Sequence, residues 1–333
     1  MKYFTIPLLS VFIFFEFSCK NHKCTTGEKE FFGKVKTVRE KMYEAEIVNG
    51  EIKTGKVIGS FYDNYQTVYD NKGQKTQQDL YYFNDNLCYR YLFIYTKNGL
   101  LKEKQILDSD GKSLYKYIYK YDENGNETEQ NIVYHDGSLM NKTKAQYSKD
   151  LLMMKTFFDD KGNITTSNEY YYNQDNKLIR FIIYEGSKKL ISSRYEYTYD
   201  KKGNRLSEEL YYSNDSLGHR CTYTYDSRGN ILEEMQYNQS GMLFSKIVYR
   251  YNSEGKIIET SHYNENNTLS SQYIYKYNDE GMLVEMQKTG ENLNYKTSYV
   301  YLDQDRHNNW VKRIEYLDDK PVRITVRTFE YYK

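Results

Sequence analysis

Three stretches decide the fold: Tyr121-Asp122-Glu123-Asn124-Gly125-Asn126, Tyr199-Asp200-Lys201-Lys202-Gly203-Asn204 and Tyr225-Asp226-Ser227-Arg228-Gly229-Asn230. They share one turn grammar. A tyrosine precedes an Asp whose carboxylate can accept hydrogen bonds from amides two or three residues on, and a Gly follows that can take the positive φ of a turn closing into a hairpin. Working outward, tyrosines followed by a short polar turn stand at positions 69, 95, 121, 147, 172, 199, 225, 251, 277 and 301, in steps of 24 to 27 residues, most of them 26. A fixed period of this kind is the signature of a repeat architecture. Departures from the grammar follow the same physics. Asn176 stands at the Gly position after Tyr172, and Asn is the next residue to tolerate left-handed φ. The turn Ser148-Lys149-Asp150 after Tyr147 is one residue short, which accounts for the 25-residue step.

About sixteen residues beyond many of these anchors a second turn occurs, as in Asp110-Gly111, Asp136-Gly137, Lys161-Gly162, Ser240-Gly241 and Asn266-Asn267. Each repeat is therefore two strands and two turns. The strands alternate, as in Tyr117-Ile118-Tyr119-Lys120-Tyr121 and Tyr273-Ile274-Tyr275-Lys276-Tyr277, which puts tyrosines on one face and Ile or Lys on the other. The expected fold is all-β: tandem antiparallel β-hairpin repeats of about 26 residues forming a long coiled or spiral meander sheet, with most Tyr rings on its concave side. Cross-strand Tyr pairs and Glu/Lys pairs, at ~0.2–1 kcal/mol each, hold such a ladder together.

Composition supports a thin wall. Leu, Ile, Val and Phe make up only about a fifth of the 333 residues, whereas there are 40 tyrosines. Phenol rings can pack while their hydroxyls stay wet, so a half-wet sheet can be stable where a dry core is out of reach. The 47 basic and 46 acidic residues are intermixed and leave a net charge of +1, so no long-range field favours nucleic acid as a partner. The four cysteines form neither a disulfide framework nor a CxxC site. Cys19 and Cys24 lie near the end of the leader, and Cys88 and Cys221 read as two unrelated half-buried thiols, with a bridge between them as the alternative.

Residues 1–19 read as a signal peptide of lipoprotein type: Met1 and Lys2 precede the apolar run Tyr3 to Phe15, which is short for a membrane span. Glu16-Phe17-Ser18-Cys19 resembles a lipobox with Cys19 as the lipid-attachment residue, although Glu16 stands where an aliphatic residue is usual. Ordinary leader cleavage near Ser18 is the alternative. Residues 20–29 read as a tether and 30–66 as an N-terminal β cap containing the hairpin turn Val48-Asn49-Gly50-Glu51. Repeats occupy 67–300, and 301–333 are C-terminal capping hairpins holding Trp310 and, near an expected sheet edge, Pro321.

No catalytic, metal or cofactor residues are assigned. His22, His135, His219, His262 and His307 are scattered outside any metal-binding spacing and read as solvated residues, most of them in turns or in the tether. The Asp residues follow the turns, and the glycines follow the repeat instead of forming a phosphate loop.

The recurring Tyr-Asp-x-x-Gly-Asn motif, in register over about residues 60–333, resembles the YD-repeat (Rhs-type) family, in its small bacterial lipoprotein form. That resemblance implies β-spirals or shells, a cell-envelope location and no catalytic role. Large members enclose a C-terminal toxin; here only Tyr331-Tyr332-Lys333 follow the repeats, so no cargo is expected. Tandem Tyr-rich hairpins are also similar to bacterial cell-wall-binding repeats, which bind glycans or choline, although those use several Trp residues per pair. The function expected is a non-enzymatic envelope lipoprotein, lipid-anchored to a membrane, acting as a scaffold or protein-interaction module. The alternative is glycan binding through the tyrosine-rich surface.

Overall fold

Twenty-three antiparallel strands follow one another along the chain, each hydrogen-bonded to the next except the second to the third, in a computed structural model that describes residues 31–60, 62–290 and 293–333. The signal peptide, the tether and Cys19 lie outside the described residues. The turns explain the regularity. At Asp122 the backbone amide donates to the Asn126 carbonyl and the Gly125 amide to the Asp122 carbonyl, while Asp122 Oδ1 accepts from the amides of Asn124 and Asn126 at 3.0 and 2.9 Å. This is a type I turn closed by a left-handed residue in a bulge, a three-residue hairpin loop. Gly125 supplies that residue with φ 85°, and Asn176, in the same place after Tyr172, has φ 58°. The second turns follow the same scheme, for example Asp108 to Lys112 and Asn238 to Met242. The shortened turn pairs Ser148 directly with Leu151 and places both Lys149 and Asp150 at positive φ, as a two-residue loop of the primed type requires.

The anchor tyrosines have a repeated structural task. Tyr95, Tyr121, Tyr225, Tyr251 and Tyr277 each donate through the phenol hydroxyl to the backbone carbonyl twenty residues earlier, namely those of Lys75, Leu101, Arg205, Ile231 and Ile257, at 2.6–2.9 Å. Each ring therefore fastens one hairpin to the carbonyl opening the strand before it, and a 26-residue period keeps that reach constant. Tyr225→Phe removes one such bond and nothing else, so it should lower stability by about 0.5–1.5 kcal/mol in a denaturant titration with unchanged slope. A neutral result would mean that the hydroxyl is merely accommodated.

An open spiral is not what forms. β1 (Val35–Val48) pairs along one edge with β23 (Lys320–Tyr331), from Val35↔Tyr331 to Glu44↔Arg323. Along its other edge, residues 37–40 pair with β3 (Tyr65–Tyr69), and residues 43–48 fold back onto β2 (Glu51–Val57). β1 and β3 to β23 thus close a ring of 22 strands, while β2 hangs as a hairpin on the far half of β1. At ~4.8 Å per strand the wall is roughly 105 Å around, or on the order of 35 Å across if round. The two terminal segments expected to cap separate ends are instead the two sides of one seam. Pro321 accordingly does not lie at a sheet edge: it sits at a bulge opposite Tyr316, beside the turn that opens β23. The physical reason is the edge itself. Unpaired strand edges are costly liabilities, and full closure is the one arrangement that removes them.

The seam is densely tied. Phe32 and Asn309 exchange two hydrogen bonds of 2.7 and 2.9 Å, and the Tyr332 hydroxyl donates to the Tyr69 carbonyl at 2.7 Å, repeating the anchor reach across the start of β1. Where β2 leaves the ring, the buried Asn64 side chain accepts from the Met42 amide and donates to the Ile58 carbonyl. Away from the seam, β11 (Ile164–Tyr172), β12 (Leu178–Glu185) and β13 (Leu190–Tyr199) hold a small apolar cluster. Phe181, fully buried, stacks between its cross-strand partners Tyr170 and Tyr195 at 4.9 and 5.8 Å.

Candidate functional site

Because cross-strand partners share a face, the register divides the wall into a tyrosine face, carrying Tyr170, Phe181, Tyr195, Tyr197 and Tyr223, and a charged face. The charged face is laced by ion pairs such as Arg90 with Asp79 at 2.7 Å, Lys120 and Lys142 with Glu129 at 2.8 and 3.2 Å, and Lys276 with Glu285 at 2.7 Å. Lys120 above all, with Asn131 and Lys142, holds the Glu129 carboxyl down to about 2. Charges in mid-strand rule this face out as the lipid-facing belt of a membrane-spanning barrel, which has to be apolar.

One rank on the charged face combines aromatic and charged groups in a way that can bind a ligand. Tyr171, Arg180, Glu196, Glu209, Arg220 and Tyr237 are successive cross-strand partners from β11 through β14 (Arg205–Tyr212) and β15 (Leu217–Tyr225) to β16 (Ile231–Tyr237). The rank spans six strands, about 24 Å. Over its first half lies a cavity of about 250 Å³ lined by Tyr171, Arg180, Glu196, Glu209 and the hydroxyls of Thr198 and Ser207, which are 2.6 Å apart. Glu196 faces Glu209 directly, a like-charge pairing that destabilises a sheet. Two arginines offset it: Glu196 Oε1 accepts from Arg180 at 3.0 Å and from Arg194 at 3.2 Å, and Arg194 lies over the Tyr211 ring at 4.3 Å while also pairing with Asp215. Tyr211 donates to Glu209 at 2.6 Å. Tyr171 is 40% exposed and donates to Glu169 at 2.7 Å, and that bond pushes its phenol up to about 12. A half-exposed ring beside fixed donors and acceptors suits a polar, ring-shaped ligand.

None of these residues is assigned from the sequence, and the signal that could have found them is register. The turn positions fix which residues oppose each other, and aligning the repeats on their turns places all six in one row.

The histidines fall otherwise than the sequence suggests in two cases. His219 and His262 lie in strands on the tyrosine face, against Tyr195 at 6.5 Å and Tyr273 at 5.5 Å, so they are packing residues and not solvated ones. Burial, with Lys288 nearby, keeps the His262 imidazole below its usual range. His135 and His307 are in turns, the latter on the Tyr331 ring at 4.1 Å; His22 is outside the described residues. Trp310 is 7% exposed at the seam, under Arg327 at 3.6 Å, and is a packing residue. Cys88 and Cys221 are free thiols, and burial raises that of Cys221 to about 11, well away from thiolate reactivity at neutral pH. No group of three or more His, Cys, Asp and Glu side chains converges among the described residues.

The chain is thus a closed all-β protein of antiparallel hairpin repeats. A family model described as "Uncharacterised protein" matches residues 195–328. None of the curated proteins matches the chain. Among solved structures, 87% of the chain is similar to the Tc holotoxin pore of Photorhabdus luminescens at 12% identity and a TM-score of 0.43, and covers 19% of that chain. Likewise 89% is similar to a porin-like protein from Bacteroides uniformis at 11% identity and a TM-score of 0.31, covering 98% of it.

Proposed function

We propose that this is a non-enzymatic lipoprotein of the bacterial cell envelope, anchored to the membrane through Cys19 and acting as a β-repeat scaffold or protein-interaction module of YD-repeat type. The observation that carries the scaffold reading is closure. A ring whose first and last strands pair has no free edge, so it offers a rigid wall of repeated side-chain positions without inviting strand addition from other chains along the ring. The mid-strand charges support a body held at the membrane by an anchor and not by spanning it, in the periplasm or at the surface of the outer membrane. Metabolic labelling with a fatty-acid analogue, repeated on Cys19→Ala, tests the anchor: label that survives the substitution removes it. Crosslinking in membrane fractions followed by pull-down tests the scaffold, and recovery of no specific protein counts against it.

A second reading is favoured by the rank from Tyr171 to Tyr237: glycan binding, with an oligosaccharide lying across the strands. Loss of one stacking ring should weaken such a ligand at least severalfold, so Tyr171→Ala and Tyr237→Ala variants on a glycan array test it. An array on which wild type and variants behave alike removes it.

A further inference from the structure

On the tyrosine face, far along the ring from the rank just described, two lysines share one aromatic ring. Lys75 opens β4 (Lys75–Tyr81), and its ammonium lies 5.9 Å from the centre of Phe93 in β5 (Leu87–Tyr95). Lys104, the cross-strand partner of Phe93, lies at the same 5.9 Å from that ring, 4.8 Å from Tyr91 and 5.5 Å from Tyr117. Neither ammonium has a carboxylate partner among the described residues. Lys75, Phe93 and Lys104 are each half-buried, so the patch is open to solvent.

The repeat supplies an internal control. Six and nine residues after the anchor Tyr199 stand Arg205 and Glu208, which pair at 2.7 Å on this same face. Six and nine residues after Tyr69 stand Lys75 and Gln78: the cation is kept and its acid is replaced by an amide. The next repeat goes further. Nine residues after Tyr95, at the position that holds Glu208 and Glu234 in two repeats and the uncharged Gln130, Thr260 and Met286 in three others, stands Lys104. The position from which Glu208 neutralises Arg205 here adds a second cation. Cation–π attraction offsets part of the cost of two desolvated like charges, and it leaves their charge uncompensated. Burial first, and Lys75 next, keep the Lys104 ammonium below the ordinary lysine range, as such crowding demands.

We propose that Lys75 and Lys104, which share the Phe93 ring and have Tyr91 and Tyr117 alongside, bind an acidic saccharide. Its carboxylate or sulfate group sits on the two ammonium groups, and the apolar face of its ring rests on the aromatic floor. Charge-assisted hydrogen bonds supply affinity, and the rings supply the preference for a flat partner over a bare anion. The site deepens the glycan reading by naming the ligand class, and it is independent of the rank on the charged face.

Calorimetric titration of the full chain with a short oligogalacturonate, the neutral oligogalactose of the same length and sodium sulfate tests it. The acidic oligosaccharide should bind, and Lys75→Gln and Lys104→Gln should each weaken it about tenfold, as loss of one charged hydrogen bond does. Lys104→Arg, which keeps the charge, should restore binding and exclude a folding defect as the cause. Equal affinity for acidic and neutral oligomers overturns the proposal while leaving glycan binding standing. So does binding that Tyr171→Ala abolishes and Lys104→Gln leaves intact. Lysine-dependent binding of sulfate with no binding of either oligosaccharide overturns the saccharide class.

Discussion

Titration with base should unfold this protein cooperatively between about pH 10 and 12, with tyrosinate absorbance rising as the β-sheet circular dichroism is lost. The half-buried phenols set that window. Burial first, then neighbouring phenols and carboxylates, push Tyr91, Tyr119, Tyr172 and Tyr249 up to about 12, and it drives the more deeply packed Tyr65, Tyr197 and Tyr223 higher still. In the unfolded chain the same groups ionise near 10. A folded value raised above the unfolded one means that the contribution to stability is complete below pH 10 and is lost as pH climbs towards the folded value. Each unit corresponds to at most about 1.4 kcal/mol, and to less for half-exposed rings whose charge water screens; a folded domain has about 5–15 kcal/mol of net stability, so the summed ionisation of many such rings is what unfolds the wall. The acid limb runs the other way. Glu129, held at about 2 chiefly by Lys120, contributes above its ordinary value and loses that contribution as pH falls towards 2, but its partners are surface groups and the effect is smaller. A broad titration centred on pH 10 with unchanged dichroism would show that the phenols are free in the folded wall.

The second large effect belongs to the seam. Arg327 and Glu40 pair at 2.6 Å with side chains only 12% and 13% exposed, and the same guanidinium covers Trp310. Arg327→Ala leaves a carboxylate buried beside an emptied site, which costs about 3–5 kcal/mol and should lower the melting temperature by roughly 10 °C for a chain of this size. The comparison is Lys276→Ala, which removes a pair whose lysine is 64% exposed and should cost less than about 1 kcal/mol. Removal of β23 altogether, by ending the chain after Leu317, exposes the edges of β22 (Trp310–Leu317) and β1 and should make the chain associate more than the full-length protein does. In an open coil, losing a terminal strand would merely shorten the array. Equal melting of the Arg327 and Lys276 variants, or a truncated chain that stays folded and associates no more than the full-length protein, would count against a ring held by its seam.

How much of this was legible beforehand differs from residue to residue. Asp122, Gly125, Asn176 and the short Lys149-Asp150 turn were readable because turn chemistry is local: a side-chain acceptor or a tolerance for positive φ acts within five residues. The two faces were readable because strand alternation has a period of two. The hydroxyl reach of Tyr225 to Arg205 was visible only as a spacing, without its chemistry. His219 was misjudged because its position just after a turn suggested solvent, whereas its strand parity puts it against Tyr195. The rank from Tyr171 to Tyr237 and the lysine pair around Phe93 needed register across several strands, which no single stretch displays.

The sequence by itself determined that this chain is an all-β array of antiparallel hairpins with tyrosines on one face, since turns, alternation and period are all encoded within one repeat. Only the tertiary structure decided that the array closes, that β1 serves both as partner of β23 and as neighbour of β3, and that the terminal segments make a seam instead of two caps. The reason is that closure depends on curvature and stagger summed over 22 strands. Each hairpin contributes a small twist that its own residues do not reveal, and only the total determines whether the first edge meets the last.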